Sequence, residues 1–125
     1  MSEFFEFSMS LTGNTLMTTA RLAVGGLSSA AGLDVDESED FKVCVTESLL
    51  IFKRNGFQAV KARFTLADEE LQADLTALSP AVDALAEESV ENEISYALLG
   101  ALVDETSFRK ENGRVTGIVL TKKTV

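Results

Sequence analysis

The sequence lacks histidine and tryptophan, and its 125 residues include one cysteine, one proline and one tyrosine. Without histidine, the chain has neither the usual general base nor the commonest metal-ligating side chain. The single Cys44 cannot form an intramolecular disulfide or a multi-cysteine metal cage. These absences exclude Ser-His-Asp hydrolases, Cys-His proteases and structural zinc domains.

Basic residues are missing from a long central stretch. Residues 64–108 contain 11 acidic side chains and no lysine or arginine, whereas residues 109–125 contain five bases and one acid. A stretch without lysine or arginine has no positive charge to bind phosphate groups, so we expect no nucleic-acid partner. The acidic stretch is either a solvated face or a docking surface for a basic partner, and the bases of 109–125 are expected to pair with acids.

Long apolar runs are also absent. The longest, residues 43–52, is interrupted by three polar residues and is too short to span a bilayer. Residues 1–6 are acidic and precede no apolar segment typical of a secretory signal. We therefore expect a cytoplasmic protein without a membrane segment, and the length and composition predict a single domain over 1–125.

Alternating apolar and polar residues indicate strands, and apolar residues at helical spacing indicate helices. The predicted strands are 3–11, 60–66, 71–77, 106–110 and 115–122, the last two joined by the strong hairpin signal Asn112-Gly113. The predicted helices are 15–31, 36–54, 80–88 and 92–104. This order predicts a two-layer α/β sandwich of the α+β type, with about five mostly antiparallel strands and helices packed on one face.

Local signals add detail to the helices. Asp36 with Glu39 resembles a capping box at the start of the second helix, and Gly32 suits the end of the first. The pair Gly25-Gly26 indicates either close packing of the first helix against a neighbour or a weak point in it. The predicted buried stripe of the last helix consists of Ile94, Ala97, Leu98, Ala101 and Leu102.

Three segments carry a family resemblance: residues 40–47 (DFKVCVTE), 98–105 (LLGALVDE) and 119–122 (VLTK). Together with the element order, they resemble bacterial anti-sigma factors of the switch serine-kinase type, which belong to the GHKL (Bergerat-fold, HATPase) superfamily. The resemblance extends over nearly the whole chain and implies a Bergerat-like fold.

In that family three motifs bind the nucleotide, and the first is E-x-x-x-N on the second helix. Its Glu serves as general base and its Asn ligates magnesium. The resemblance places the base at Glu47 and puts Ile51 at the Asn position. Isoleucine offers no oxygen to a hard cation that binds oxygen ligands.

The other two motifs are altered as well. The family's D-x-G-x-G motif, which reads adenine, corresponds here to residues 77–81, with Ala77 and Ser79 where Asp and Gly are expected. The family's G-x-G motif, whose amides cradle phosphates, corresponds to residues 93–96, where Glu93 and Ser95 replace the glycines. Glu91 adds further negative charge beside it.

These changes predict a domain that keeps the fold but no longer binds ATP, because a shared fold does not imply a shared function when the binding residues are replaced. No cofactor or metal is expected unless the altered site still binds Mg-ATP. The leading hypothesis is a non-catalytic, anti-sigma-factor-like regulatory protein (a pseudokinase) of bacterial transcription control that acts through protein–protein interaction. The resemblance implies a sigma factor or a STAS-type antagonist as partner, and a homodimer. The expected contact surfaces are the first strand, helix 15–31 and the acidic stretch.

Two alternatives remain. The chain is a divergent serine/threonine kinase or ATP-binding anti-sigma factor with Glu47 as base, or it is a small-ligand-binding domain that reuses the nucleotide cavity. Segment 80–93 is either an ordered helix or the counterpart of the family's ATP lid.

Individual residues also have simpler interpretations. Glu47 is a catalytic base, or a carboxylate that is exposed or adjacent to Arg54. Cys44 is expected in the core rather than as a reactive thiol. Phe4, Phe5 and Phe7 are either all core, or core on one face and a dimer contact on the other.

Overall fold

The structure is a computed structural model that describes residues 2–79 and 90–124. Within these residues the chain is α+β, with five strands and three helices. The elements are β1 (Glu3–Ser10), α1 (Thr15–Ala30), α2 (Val35–Arg54), β2 (Ala59–Ala67), β3 (Glu70–Leu78), α3 (Val90–Leu102), β4 (Glu105–Glu111) and β5 (Arg114–Lys123). The predicted helix at 80–88 lies outside the described residues.

The described strands form one sheet in the order β1-β2-β3-β5-β4, and every neighbouring pair is antiparallel. The β4–β5 hairpin turns at Asn112 and Gly113, whose φ values are 52° and 77°. Positive φ at both central residues is what a tight hairpin turn requires, so the predicted Asn-Gly hairpin is confirmed. β1 and β4 are the two edge strands.

The two faces of the sheet differ in polarity, as the alternation predicts. One face carries the buried side chains of the central strands, among them Val60, Ala62, Phe64, Leu71, Ala73 and Leu75. The opposite face carries charged residues such as Glu6, Arg63 and Asp74, and Arg63 Nη1 lies 3.3 Å from Glu6 Oε2. The apolar face packs against the helical layer, which gives the predicted two-layer arrangement.

Helix α2 is the centre of the helical layer and contacts α1, α3 and the sheet. It is buried on several sides, as its nearly continuous apolar character predicts. Its fully buried apolar side chains are Phe41, Cys44, Val45, Leu49, Ile51 and Phe52.

The capping box of α2 lies two residues earlier than predicted. The side chain of Asp34 accepts from the Glu37 amide at 2.8 Å, and Glu37 accepts from the Asp34 amide at 3.1 Å. The prediction of Asp36 and Glu39 was wrong because Asp36 already lies in the first helical turn. Asp34, with ψ of 179°, has the extended backbone of an N-cap residue.

The glycine predictions for α1 are confirmed in part. Gly32 has a φ of +82° directly after the helix, as a C-terminal glycine should. A methyl group at Gly25 would lie 3.0 Å from Cε of Lys42, whereas one at Gly26 would meet nothing within 4 Å. The pair therefore faces one flexible side chain rather than a closely packed backbone.

The predicted buried face of α3 was wrong for Ile94, Ala97 and Ala101, which are exposed, whereas Leu102 packs against the core. Ile94 is 55% exposed, and the described buried residues of the helix are Asn92, Ser95 and Leu99. The face of α3 that points to α2 is the one that carries Asn92 and Ser95, because these two residues bind side chains of α2. The apolar stripe that begins at Ile94 is therefore turned away from the contact. No helix in the described part of the chain is long and apolar enough to cross a membrane.

Candidate functional site

The residue that the resemblance implies as a general base, Glu47, lies in the middle of α2 and points towards α3. Its side chain is 22% exposed. Ser95 of α3 donates a hydrogen bond of 2.6 Å from Oγ to Glu47 Oε2. The structure therefore brings together two of the predicted site residues, one from each of two altered motifs.

Arg54 completes this contact from the end of α2, two helical turns beyond Glu47. Its Nη1 donates to Ser95 Oγ at 2.9 Å and to Asn92 Oδ1 at 3.1 Å. Its Nη2 lies 3.9 Å from Glu47 Oε2. We call these four residues, Glu47, Arg54, Asn92 and Ser95, the α2–α3 polar cluster.

Ser95 is the connecting member of the cluster, since its hydroxyl accepts from Arg54 and donates to Glu47. Ser95 and Asn92 are 1% and 3% exposed. Buried polar groups of this kind need partners, because an unpaired one costs about 1–3 kcal/mol. The cluster supplies those partners and joins α3 to the central helix.

The chemistry of Glu47 follows from these contacts. A general base needs a lone pair directed at the proton that it removes. Glu47 Oε2 already accepts from Ser95 and lies 3.9 Å from Nη2 of Arg54, and these two contacts hold the carboxylate in place. Through Oε2, Glu47 therefore acts as a structural acceptor in the cluster.

Ile51, at the position of the family's magnesium ligand, is fully buried in the core. Ser48, which lies between Glu47 and Ile51 in sequence, donates its hydroxyl to the Cys44 carbonyl at 2.8 Å. In the part of the chain that the structure describes, no three acidic or cysteine side chains converge to hold a metal ion. Ile51 is thus part of the apolar core and offers no oxygen ligand of its own.

The remaining predicted site residues lie elsewhere. Ala77 is partly buried against the core near the end of β3. Ser79 has a φ of 62° and lines a separate cleft beside the β4–β5 hairpin. Glu93 is exposed on α3. Of the altered positions, Ser95 is thus the one that contacts Glu47.

Sequence reasoning missed Asn92 and underestimated Arg54. Asn92, Ser95 and Leu99 have the spacing i, i+3, i+7, which places them on one face of a helix. Glu47 and Arg54 are seven residues apart and likewise lie on one face of α2. These spacings could have indicated that the two polar faces meet. The apolar stripe that begins at Ile94, however, predicts a different buried face for the same helix.

A shallow groove of about 270 Å³ remains on the other side of Glu47, between α1 and α2. Arg21 lines it and donates to Thr46 Oγ1 at 3.4 Å, and Lys42 lies 2.8 Å from Glu39. Two cations and two carboxylates therefore share the groove. Its volume is slightly below the range of about 300–1,000 Å³ of most small-molecule sites.

Cys44 is fully buried on α2, as predicted. Burial raises the pKa of its thiol from 9.0 to about 12; Asp40 adds to the shift, Lys122 opposes it and Glu47 adds a smaller part. A thiol with this pKa is almost wholly protonated at neutral pH and is a poor nucleophile.

The aromatic residues of β1 are not all core. Phe4 and Phe5 are 63% and 45% exposed, whereas Phe7 stacks on Phe64 with ring centroids 5.9 Å apart. An apolar cavity of about 220 Å³ lies between β1 and α1, with Phe5 and Leu16 on its walls. Leu22, on the outer side of α1, is 73% exposed. Phe5 and Leu16 are thus partly exposed apolar side chains on either side of this cavity.

Comparison of the sequence with known proteins finds no matching family model and no matching curated protein.

Proposed function

We propose that the chain is a non-catalytic, anti-sigma-factor-like regulatory protein with a Bergerat-like fold, which acts by binding other proteins. The observation that supports this most directly is the hydrogen bond from Ser95 to Glu47. It occupies Oε2 of the carboxylate that catalysis would need, and its donor stands where the resemblance places a phosphate-binding loop.

Two further observations argue against nucleotide chemistry. Ile51 is buried in the core, so no oxygen ligand for magnesium stands one turn beyond Glu47. The exposed side chains of the first turn of α3 include Glu91 and Glu93, which would repel phosphate oxygens. Residues 64–108 contain no lysine or arginine, and the guanidinium of Arg54, which lies beside this turn, already binds Asn92 and Ser95.

The surface proposed for partner binding is the β1–α1 surface, which we define by Phe5 and Leu16. These two apolar side chains are 45% and 43% exposed, and β1 is an edge strand of the sheet formed by the described residues. Edge strands and exposed apolar groups both favour association with another chain. We propose a homodimer and a sigma factor or STAS-type antagonist as the partner, in the cytoplasm.

Thermal unfolding with and without Mg-ATP and Mg-ADP tests the loss of nucleotide binding. A functional site at 100-fold excess over its dissociation constant would add ~2.7 kcal/mol, a shift on the order of 10 °C for a domain of this size. We expect no shift at millimolar nucleotide. A clear shift would overturn the proposal and favour the divergent kinase. That kinase would then require phosphotransfer that disappears in Glu47→Gln.

Sedimentation at several protein concentrations tests the homodimer. We expect Phe5→Glu to shift the protein towards monomer, because the charge would be buried against the second copy. Ile94→Glu, at an exposed apolar residue of α3, is the matched control and should leave the distribution unchanged. Equal behaviour of the two variants would reject the β1–α1 surface, and a wild-type monomer at all concentrations would reject the dimer.

Titration calorimetry with a purified sigma factor or STAS protein encoded by a neighbouring gene tests the partner. Phe5→Glu should weaken binding if the β1–α1 surface is used, and Ile94→Glu should not. Heat of binding that is unchanged in both variants would place the contact elsewhere on the molecule.

The groove beside Glu47 supports a second candidate, a small-ligand-binding domain. Its cations Arg21 and Lys42 would suit an anionic ligand, although each already has a partner. An anionic ligand bound in this groove would raise the melting temperature of the wild type but not that of Arg21→Gln. The protein-binding regulator proposed above predicts no shift in either protein, so thermal unfolding distinguishes the two candidates.

A further inference from the structure

A second polar cleft lies away from the α2–α3 polar cluster, where β3 ends beside the β4–β5 hairpin. Its volume is about 470 Å³, and its walls include Thr76, Ser79, Arg109 and Arg114. Two of the chain's five arginines therefore line one cleft. The protein as a whole has a net charge of −9, so this is a local concentration of positive charge.

Arg109 is held in this cleft by the local shape of the sheet. It pairs in register with Gly117 of β5, which in turn pairs with Thr76 of β3. A methyl group at Gly117 would overlap the guanidinium of Arg109, so the glycine leaves room for that side chain to lie across β5. Arg109 Nη2 then donates to Thr76 Oγ1 at 3.0 Å and to Asp74 Oδ1 at 3.2 Å.

Arg114 differs from Arg109 in having an unused donor. Its Nε is buried and has no hydrogen-bond acceptor in the described part of the chain. Glu111 stands opposite Arg114 in the hairpin register, but the ion pairs among the described residues do not include these two. A buried donor on a charged group is costly to leave unpaired, so an acceptor becomes stabilising when the Arg114 side chain turns outwards and brings its covered Nε–H to the cleft.

We propose that this cleft binds a small oxyanion, a phosphate or a carboxylate, with Arg114 as its main ligand and Arg109 as a second contact. The planar guanidinium matches both anions through paired N–H donors. Glu111 also lines the cleft and reduces its positive charge, which suits an anion of low charge. The site is independent of the function proposed above, because it uses neither Glu47 nor the β1–α1 surface.

Arginine Nε–H resonances in ¹H–¹⁵N NMR spectra of the full chain provide the test. Inorganic phosphate and acetate are titrated separately at constant ionic strength. We expect saturable movement of the Arg114 signal with one or both anions. Saturation by phosphate alone identifies a phosphate site, and saturation by acetate alone identifies a carboxylate site. The absence of saturation with both anions would overturn the proposal.

Variants locate the site. We expect Arg114→Gln and Arg114→Lys each to weaken binding at least about tenfold, as loss of a charge-assisted hydrogen bond would. Arg63→Gln is the matched control, since Arg63 lies on the polar sheet face beside Glu6 and Phe4. The remaining amide signals report whether each variant is folded. Equal affinity of Arg114→Lys and wild type, or an equal loss in Arg63→Gln, would reject Arg114 as the ligand.

Discussion

Ser95 on α3 donates a 2.6 Å hydrogen bond to Glu47 on α2, and the same hydroxyl accepts from Arg54 at 2.9 Å. One buried serine thus links a carboxylate to a guanidinium across two helices. The direct distance between the charged groups is 3.9 Å, so Ser95 makes the shorter contact with each of them. The stability of the α2–α3 contact should therefore depend on the serine more than on the ion pair.

Replacing Ser95 by alanine tests this dependence. Ser95→Ala removes the donor to Glu47 and an acceptor of Arg54, both in a partly buried setting, so we expect the free energy of unfolding to fall by about 1–3 kcal/mol. Urea denaturation measures the loss. Ser107→Ala, at an exposed position of β4, is the control and should change stability by less than about 0.5 kcal/mol. Equal stabilities of the two variants would show that the cluster contributes little.

Restoring the family's magnesium ligand at position 51 should harm the protein. Ile51 is fully buried, so Ile51→Asn removes apolar contacts and places an amide in the core, at an expected cost of at least about 2 kcal/mol. Ile51→Val is the matched control, with an expected loss of about 0.5–1.5 kcal/mol. Urea denaturation gives both values. If the Ile51→Asn variant were stable and its melting temperature rose with Mg-ATP, the nucleotide site would instead be nearly intact.

The sheet could be predicted closely because its signals are local. Alternation along residues 60–66 and 71–77 identifies the buried face of each strand, and Asn112-Gly113 supplies the positive φ values of its turn. Cys44 could be placed in the core for a similar reason, since it lies on an apolar stripe of α2.

The α2–α3 polar cluster could not be predicted in the same way. Asn92 and Ser95 become buried through their contacts with Arg54 and Glu47, which lie 38 to 48 residues away in sequence. Helical spacing alone favours burial of Ile94, which is instead exposed. Burial of a polar residue depends on its partner, and the partner is known only once the helices are packed.

The start of α2 provides a prediction with a built-in comparison. Asp34 is the N-cap residue, whereas Asp36 lies in the first turn and makes no cap contact. Asp34→Ala should therefore lower the free energy of unfolding by about 0.5–2 kcal/mol. Asp36→Ala loses only its interaction with the helix dipole, about 0.3–1 kcal/mol. Chemical denaturation in low salt compares them, and a larger loss in Asp36→Ala would place the cap at the position first predicted from the sequence.

The buried thiol of Cys44 makes stability depend on alkaline pH. Burial raises its pKa in the folded protein to about 12, above the ordinary value of 9.0 that applies after unfolding. Below pH 9 the thiol is protonated in both states and this term does not vary with pH. Between pH 9 and 12 the unfolded chain releases the proton first, so stability falls with rising pH, by up to ~1.4 kcal/mol per pH unit.

Urea denaturation from pH 7 to 10.5, with reductant present, measures this fall, and Cys44→Ala is the comparison because it lacks the titrating group. We expect a steeper decline above pH 9 in the wild type than in the variant, even though the variant is less stable throughout from loss of core contacts. Iodoacetamide should modify Cys44 slowly at pH 8 in the folded protein and rapidly in urea, because the reagent needs an accessible thiolate. Rapid modification of the folded protein, together with parallel pH profiles, would mean that α2 opens readily and that the thiol is not held in the core.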